Sequence, residues 1–190
     1  MTEQQLIHAL QAGNEPAFRL LVDTYKDRLY HTILGFVPNT EDAEDVLQDV
    51  FVKVYENIAA FKGDAMLSTW MYRIAVTHSL DAIRKKNRKK RSAKVLSWFG
   101  LGDDSYEMAV EATHPGILAE NKELSVQLFH AMQQLPDNQR AAFVLQKIEG
   151  LNQQQIAEVL NVSIGAVESL LSRAKQNLKK SLSNFYHGKK

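Results

Sequence analysis

The chain has no cysteine in its 190 residues, which removes disulfides, zinc–thiolate sites, iron–sulfur clusters and a thiol nucleophile. Proline and glycine are scarce, four and nine residues, and their scarcity argues against a collagen-like or wholly disordered polymer. No apolar run approaches the roughly 18 residues needed to span a membrane. The segment Met1 to Gly13 carries Glu3 early and lacks a basic start leading into an apolar stretch, so it does not read as a secretory signal. The reducing cytoplasm is the expected compartment.

What the chain does have is a composition that can fold, 45% hydrophobic and 24% charged. At roughly 100 to 200 residues per domain, its length allows one ordinary domain or two small ones with a linker. The formal net charge of +1 conceals a segregation. Residues 1–83 hold 6 basic and 12 acidic side chains, 84–94 hold 8 and none, 95–123 hold 1 and 6, and 124–190 hold 8 and 4. Such a layout fits two partners, a basic surface met by the acidic block and a polyanion met by the two basic blocks.

Apolar spacing predicts helices almost throughout. Phe18, Leu21, Val22, Tyr25, Leu29, Ile33 and Leu34 recur at threes and fours, and Pro38-Asn39-Thr40 is expected to stop that helix. Thr40 is the expected cap of the next, whose first turn holds Glu41 and Asp42 and whose apolar face is Val46, Leu47, Val50, Phe51, Val54, Tyr55 and Ile58. Phe61 to Asp64 reads as a turn, with Ser68 capping a further helix from about Thr69. Residues 92–116 lose periodicity and gather Gly100, Gly102, Pro115 and Gly116, as a linker does. Helical patterning resumes from Ile117 to about Phe185, broken at Pro136-Asp137, Glu149-Gly150 and Asn161 to Ser163. The fold class is therefore all-α, two small helical domains at 1–91 and 117–190 joined by a flexible linker at 92–116.

Gln153 to Leu171 has the internal logic of a helix-turn-helix. Ile156, Ala157 and Leu160 face inward on the first helix, Val162 fills the turn, and Val167, Leu170 and Leu171 face inward on the second. Asn161 sits where the turn needs a left-handed backbone, which Asn tolerates. Asn152 with Gln155 forms a capping box, and Ser163 caps the second helix. Gly165, Ser169, Ser172, Arg173, Gln176 and Lys180 then share the outer side, free to enter a major groove. A plain helical hairpin is the competing reading.

In the N-terminal half, Trp70, Arg73, Thr77, Asp81, Arg84 and Arg88 fall on one helical stripe that runs into the basic stretch Arg84 to Arg91, including Lys85 and Lys86. A basic run by itself grips phosphates; an aromatic beside it adds a surface on which an unpaired base stacks. The alternative for Trp70 is an ordinary core position. Asp42, Asp45 and Asp49 recur on one face of the preceding helix. They suit a basic protein partner or plain solvation. A metal-dependent nuclease is the enzymatic alternative, but helical di-metal sites typically take a Glu-x-x-His motif from each of two helices and this chain does not have two, so neither a metal nor a cofactor is expected.

Taken together, Asp42 to Phe51, Phe61 to Asp64, Ser68 to Ala75, Leu135-Pro136 and Gly150 to Leu178 resemble bacterial sigma factors of the extracytoplasmic-function group, in the family's order. The resemblance implies a non-enzymatic transcription initiation factor. Its N-terminal domain would bind the clamp helices of the RNA polymerase β′ subunit and open the −10 element; its C-terminal domain would read the −35 element. Contact with the β subunit and with an anti-sigma factor is also implied. Carried over by residue, Asp45, Gln48 and Asp49 would contact polymerase, and Trp70, Arg73, Thr77, Arg84, Lys85, Lys86 and Arg88 would handle the non-template strand. Thr77 stands where many relatives have Asn, and Glu168 and Leu170 stand where the recognition helix often has Lys and Arg. The −35 contacts are therefore expected from Gly165, Ser169, Ser172, Arg173, Gln176 and flanking lysines. Val95 to His114 resembles the variable linker through the polymerase RNA channel. A stand-alone helix-turn-helix repressor with a ligand-sensing domain is the alternative function.

Overall fold

The computed structural model describes residues 1–37, 39–98 and 122–187. Its elements are α1 (Glu3–Gln11), α2 (Glu15–Leu34), α3 (Thr40–Asn57) with a closing 3-10 turn (Ile58–Ala60), α4 (Leu67–Trp98), α5 (Lys122–Gln133), α6 (Asp137–Lys147), α7 (Gln153–Leu160) and α8 (Ile164–His187). Among the described residues there is no strand, in agreement with the all-α expectation.

Side chains that accept from exposed helical N–H groups set most of the starts. Thr2 and Gln5 close a capping box on α1, and Asn14 caps α2 ahead of Pro16. The end of α2 differs from expectation. The helix stops at Leu34, where the Gly35 N–H closes the last turn on the carbonyls of His31 and Thr32. Asn39 rather than Thr40 caps α3, its Oδ1 accepting from the Asp42 N–H at 2.8 Å. The physical reason is reach: extended Asn39 lies one residue outside the helix, whereas Thr40 already has helical backbone. Ser68 is likewise not the cap of α4, which begins at Leu67. The Leu67 N–H donates instead to Glu3 Oε1 on α1, 3.2 Å away. Nor does α4 end at residue 91: it continues to Trp98, so the first part of the expected linker is helical. The remainder of that linker call lies outside the described residues.

Both halves contribute to one contiguous apolar core. Leu21, Leu29, Ile33, Phe36, Val50, Met71 and Tyr72 are buried in the N-terminal half, and Val144, Leu145, Ile156, Val167 and Leu171 in the C-terminal half. Each fully buried side chain of this size stabilises the fold by roughly 1.5–3 kcal/mol. Two expected inward positions point outward. Tyr55 is 62% exposed, its ring edge-on to Phe18, and Val162 is 36% exposed at the tip of its turn. Helical period placed Tyr55 at the border of the apolar stripe, where only the edge of the Phe18 ring on α2 covers it in part.

Candidate nucleic-acid interface

The helix-turn-helix is built as its local sequence dictates. Asn152 and Gln155 exchange side-chain hydrogen bonds with each other's N–H, at 2.9 and 3.0 Å, and start α7. Asn161 ends it in the left-handed region at φ 53 and ψ 52, the only non-glycine residue with positive φ among those described. Ser163 Oγ then accepts from the Ala166 N–H and starts α8. Val167, Leu171, Ala174 and Leu178 are buried, while Leu160 and Leu170 are half-buried. Val159, buried as well, completes the inward face of α7. Gly165, Ser169, Ser172, Arg173, Gln176 and Lys180 are all exposed on the outer side of α8.

Arg140 supports this unit from beneath. Its guanidinium is buried, donating to the side chain and carbonyl of Gln133 and to the Leu135 carbonyl, which fixes the turn between α5 and α6. Burial pushes its pKa below the usual arginine value, partly offset by Asp137.

On α4 the stripe divides. Arg73, Thr77, Asp81, Arg84, Lys85 and Arg88 are exposed, but Trp70 is half-buried with its ring 4.9 Å from that of Phe61. Three of the cations already have intramolecular partners. The Arg73 guanidinium donates to the Glu158 and Val159 carbonyls at the end of α7, at 2.5 and 3.3 Å. Arg84 meets Asp137 at 2.7 Å and Asp81 at 3.1 Å. Lys86 pairs with Asp42.

On α3, Asp45, Gln48 and Asp49 are exposed, whereas Asp42 is half-buried beside Lys86. The acidic face and the basic end of α4 thus border one groove, lined by Asp45, Asp49, His78, Lys85 and Arg88 among others. No three acidic, His or Cys groups converge as metal ligands among the described residues, and no described helix is long and apolar enough to cross a membrane.

Sequence reasoning missed the residues at the junction of the two halves. The Glu149 side chain is 4% exposed. Its carboxylate accepts from the Thr32 hydroxyl at 2.6 Å and the Tyr72 phenol at 2.5 Å, with Arg28 at 3.4 Å. Burial first, and then the hydrogen bond and charge of Glu149, raise the Tyr72 phenol well above its ordinary pKa, while Arg28 over its ring opposes the shift. In sequence Glu149 was legible only as a loop residue.

Comparison with known proteins agrees with this geometry. The sigma-70 region 2 family matches residues 21–89 and the sigma-70 region 4 family matches residues 125–178. The chain is 33% identical to the extracytoplasmic-function sigma factor SigW of Bacillus subtilis, covering 96% of this chain and 97% of that protein. It is 32% identical to the RNA polymerase sigma-H factor of Pseudomonas aeruginosa, over 95% and 93% of the two chains. It is 31% identical to the sigma-E factor of Escherichia coli K12, over 93% and 92%. Its fold is that of CnrH in complex with the cytosolic domain of CnrY, with 24% identity, a TM-score of 0.67 and coverage of 95% and 97%. It is also that of the sigma factor RpoE in complex with the anti-sigma factor NepR from Bartonella quintana, with 20% identity, a TM-score of 0.63 and coverage of 87% and 96%.

Proposed function

The chain belongs to the extracytoplasmic-function group of sigma-70 RNA polymerase sigma factors, and from that membership we propose how its residues divide the labour. It is an alternative sigma factor that binds core RNA polymerase and directs transcription initiation at promoters. The repressor alternative finds no support in these relatives.

Residues 1–91 form the polymerase-binding and −10 unit, and residues 117–190 the −35 unit. The exposed acidic stripe Asp45, Gln48 and Asp49 meets a basic surface of core polymerase, where complementary charge favours encounter and orientation. Arg73, Thr77, Arg84, Lys85, Lys86 and Arg88 follow the non-template strand, and the free face of Trp70 stacks on an unpaired base. Gly165, Ser169, Ser172, Arg173 and Gln176 enter the −35 major groove, with Gly165 allowing the backbone to approach closely. The chain works by binding rather than by covalent catalysis, in the cytoplasm where its polymerase acts, and an anti-sigma factor is a further partner.

The observation that carries this reading is the mounting of α8: one side is anchored through Val167, Leu171, Ala174 and Leu178, so the opposite side is held out as a rigid reading head. The test is transcription in vitro with purified core polymerase on a promoter selected from a genomic library. Added protein should create specific start sites, and Arg173→Ala should shift preference among −35 variants. Duplex binding as tight without core polymerase as with it, and no new start sites, would return the repressor reading.

A further inference from the structure

One short helix holds both ends of the loop between α3 and α4, the loop that brings Phe61 beside Trp70. α1 runs from Glu3 to Gln11, so its first and last Cα atoms lie about 12 Å apart at roughly 1.5 Å per residue. At its C-terminal end, Gln11 Nε2 donates to the Phe61 carbonyl at 2.8 Å and reaches the Ile58 carbonyl at 3.4 Å. These oxygens belong to the 3-10 turn that ends α3 and to the residue that closes it. At its N-terminal end, the Glu3 carboxylate accepts from the Leu67 N–H, one of the donors that the start of α4 leaves without an intrahelical partner. Each anchor has the right sense: an amide donor meets carbonyl oxygens at a helix end, and a carboxylate meets the positive end of a helix dipole.

Between these anchors the loop has little support of its own. Among the described residues, Lys62, Gly63, Asp64 and Ala65 make no hydrogen bond or ion pair. Gly63 takes the left-handed turn at φ 76, and Lys62, Gly63, Asp64 and Met66 are exposed. Order is imposed from the two stems. The Phe61 ring lies 4.9 Å from the Trp70 ring, tilted by 35°, and the Trp70 N–H closes the first turn of α4 on the Met66 carbonyl. The place of Trp70 is therefore set by Phe61 beside it and by the first turn of α4 that carries it, and α1 grips both. Leu10, buried, fixes α1 to the core, so the two anchors share one rigid base.

We propose that α1 belongs to the −10 reader, with Gln11 and Glu3 as positioning residues that hold Phe61 and the first turn of α4 and through them set Trp70 for the unpaired base. This rests on the −10 role of Trp70. Neither Gln11 nor Glu3 meets DNA itself. A ring stacks on a base only when it is correctly placed, so a platform free to wander binds only in the fraction of time it is aligned. Holding it in advance removes that ordering cost from the binding step. Two exposed polar side chains near the N-terminus thereby tune promoter opening, while the −35 reader and the acidic stripe of α3 are left as they are.

Trp70 itself supplies the readout, since the chain has two tryptophans and Trp98→Phe leaves its fluorescence alone. In that background Gln11→Met keeps the length of the side chain and removes the donor. Glu3→Lys puts a cation at the positive end of α4, whereas Glu3→Gln keeps an acceptor oxygen. Both Gln11 and Glu3 are exposed, so helicity and thermal midpoint should stay near the parent's in all three. Gln11→Met and Glu3→Lys should make Trp70 in the free chain more readily quenched by acrylamide. Each should also weaken holoenzyme binding to a fork-junction promoter with an unpaired −10 non-template strand by about three- to tenfold, the scale of one hydrogen bond. Glu3→Gln should match the parent in both readouts, and binding to core polymerase and to a −35 duplex should not change in any variant. Unchanged quenching in Gln11→Met and Glu3→Lys, a displaced Trp70 with undiminished fork binding, a Glu3→Gln variant as defective as Glu3→Lys, or a loss shared equally by the −35 duplex each overturn the proposal. The underlying −10 assignment fails separately: Trp70→Ala would then leave promoter melting by the holoenzyme intact.

Discussion

On α8 the outward side chains Ser169, Ser172, Arg173 and Gln176 are exposed, and no ion pair engages Arg173 among the described residues. On α4 the outward cations Arg73, Arg84 and Lys86 are each already held by an oxygen of the same chain. Both helices carry basic and polar side chains of the kind that suits nucleic acid, yet α8 presents them free and α4 presents three of its cations occupied. On the proposed assignment of α8 to the −35 element and α4 to the −10 strand, the first reader is complete in the free protein, whereas three cations of the second would have to exchange partners on engagement. A duplex offers its groove edges before any melting, so a preformed reader suits it. An unpaired strand exists only after opening, so a reader that waits costs little in recognition.

The comparison can be broken most severely from outside both helices. On the proposed polymerase contact, Asp45→Arg with Asp49→Arg would turn attraction into like-charge repulsion and should cost several kcal/mol of core-polymerase binding. Because both side chains are exposed, the thermal midpoint should hardly move. Undiminished co-purification with core enzyme would remove α3 from the polymerase interface.

Next in size is Trp70→Ala. A fully buried Trp costs about 3–5 kcal/mol on truncation, so half-buried Trp70 against Phe61 is expected to cost roughly 2–3 kcal/mol in folding stability. Promoter melting, read by permanganate reactivity of the −10 region, should fall as well. Stability lost with melting intact would make Trp70 a structural residue alone and leave the basic side chains as the whole −10 reader.

Arg173→Ala sharpens the other side. If its guanidinium reads a base edge, about 1–3 kcal/mol is lost at one −35 base pair and preference relaxes there. Equal weakening across a randomised −35 library would reduce Arg173 to a phosphate contact.

The smallest effect concerns the turn between α7 and α8. Asn161→Ala places a Cβ without local hydrogen-bonding capacity in the left-handed region and should cost about 1 kcal/mol, with Asn161→Gly close to neutral. Denaturant titration of the full chain separates the two. A loss of −35 affinity with Asn161→Ala, despite a native fold, would show how finely the turn aims α8.

How much of this was legible follows from sequence distance. Asn152, Gln155, Asn161 and Ser163 act on backbone groups within a few residues, so the helix-turn-helix could be read from spacing and turn chemistry alone. The outward face of α8 and the exposed acids of α3 followed from period. Glu149 could not be read, because its partners are distant in the chain: Thr32 is 117 residues from Glu149 and Tyr72 is 77. The same holds for the start of α4, where Glu3 supplies from 64 residues away what Ser68 was expected to supply. Asn39 displaced Thr40 for a smaller reason, a one-residue shift among two adjacent residues that both make good caps.

The unbroken course of α4 has one more consequence. A helix of 32 residues is a rod of about 48 Å, and its basic stretch places Arg84 above Arg88 and Lys85 above Lys89, one turn apart. Such like-charged neighbours disfavour the helix by about 0.2–0.5 kcal/mol per pair. This end of the rod is consequently a polyelectrolyte under internal tension, and added salt acts on it in two opposite directions. Salt screens the repulsion and firms the rod, while it also diminishes the counterion entropy gained on binding a strand. A strand laid along the rod accomplishes the first without the second, so binding should stiffen the far end of α4, measurable as increased helicity on titration with DNA at low ionic strength and as little change at high.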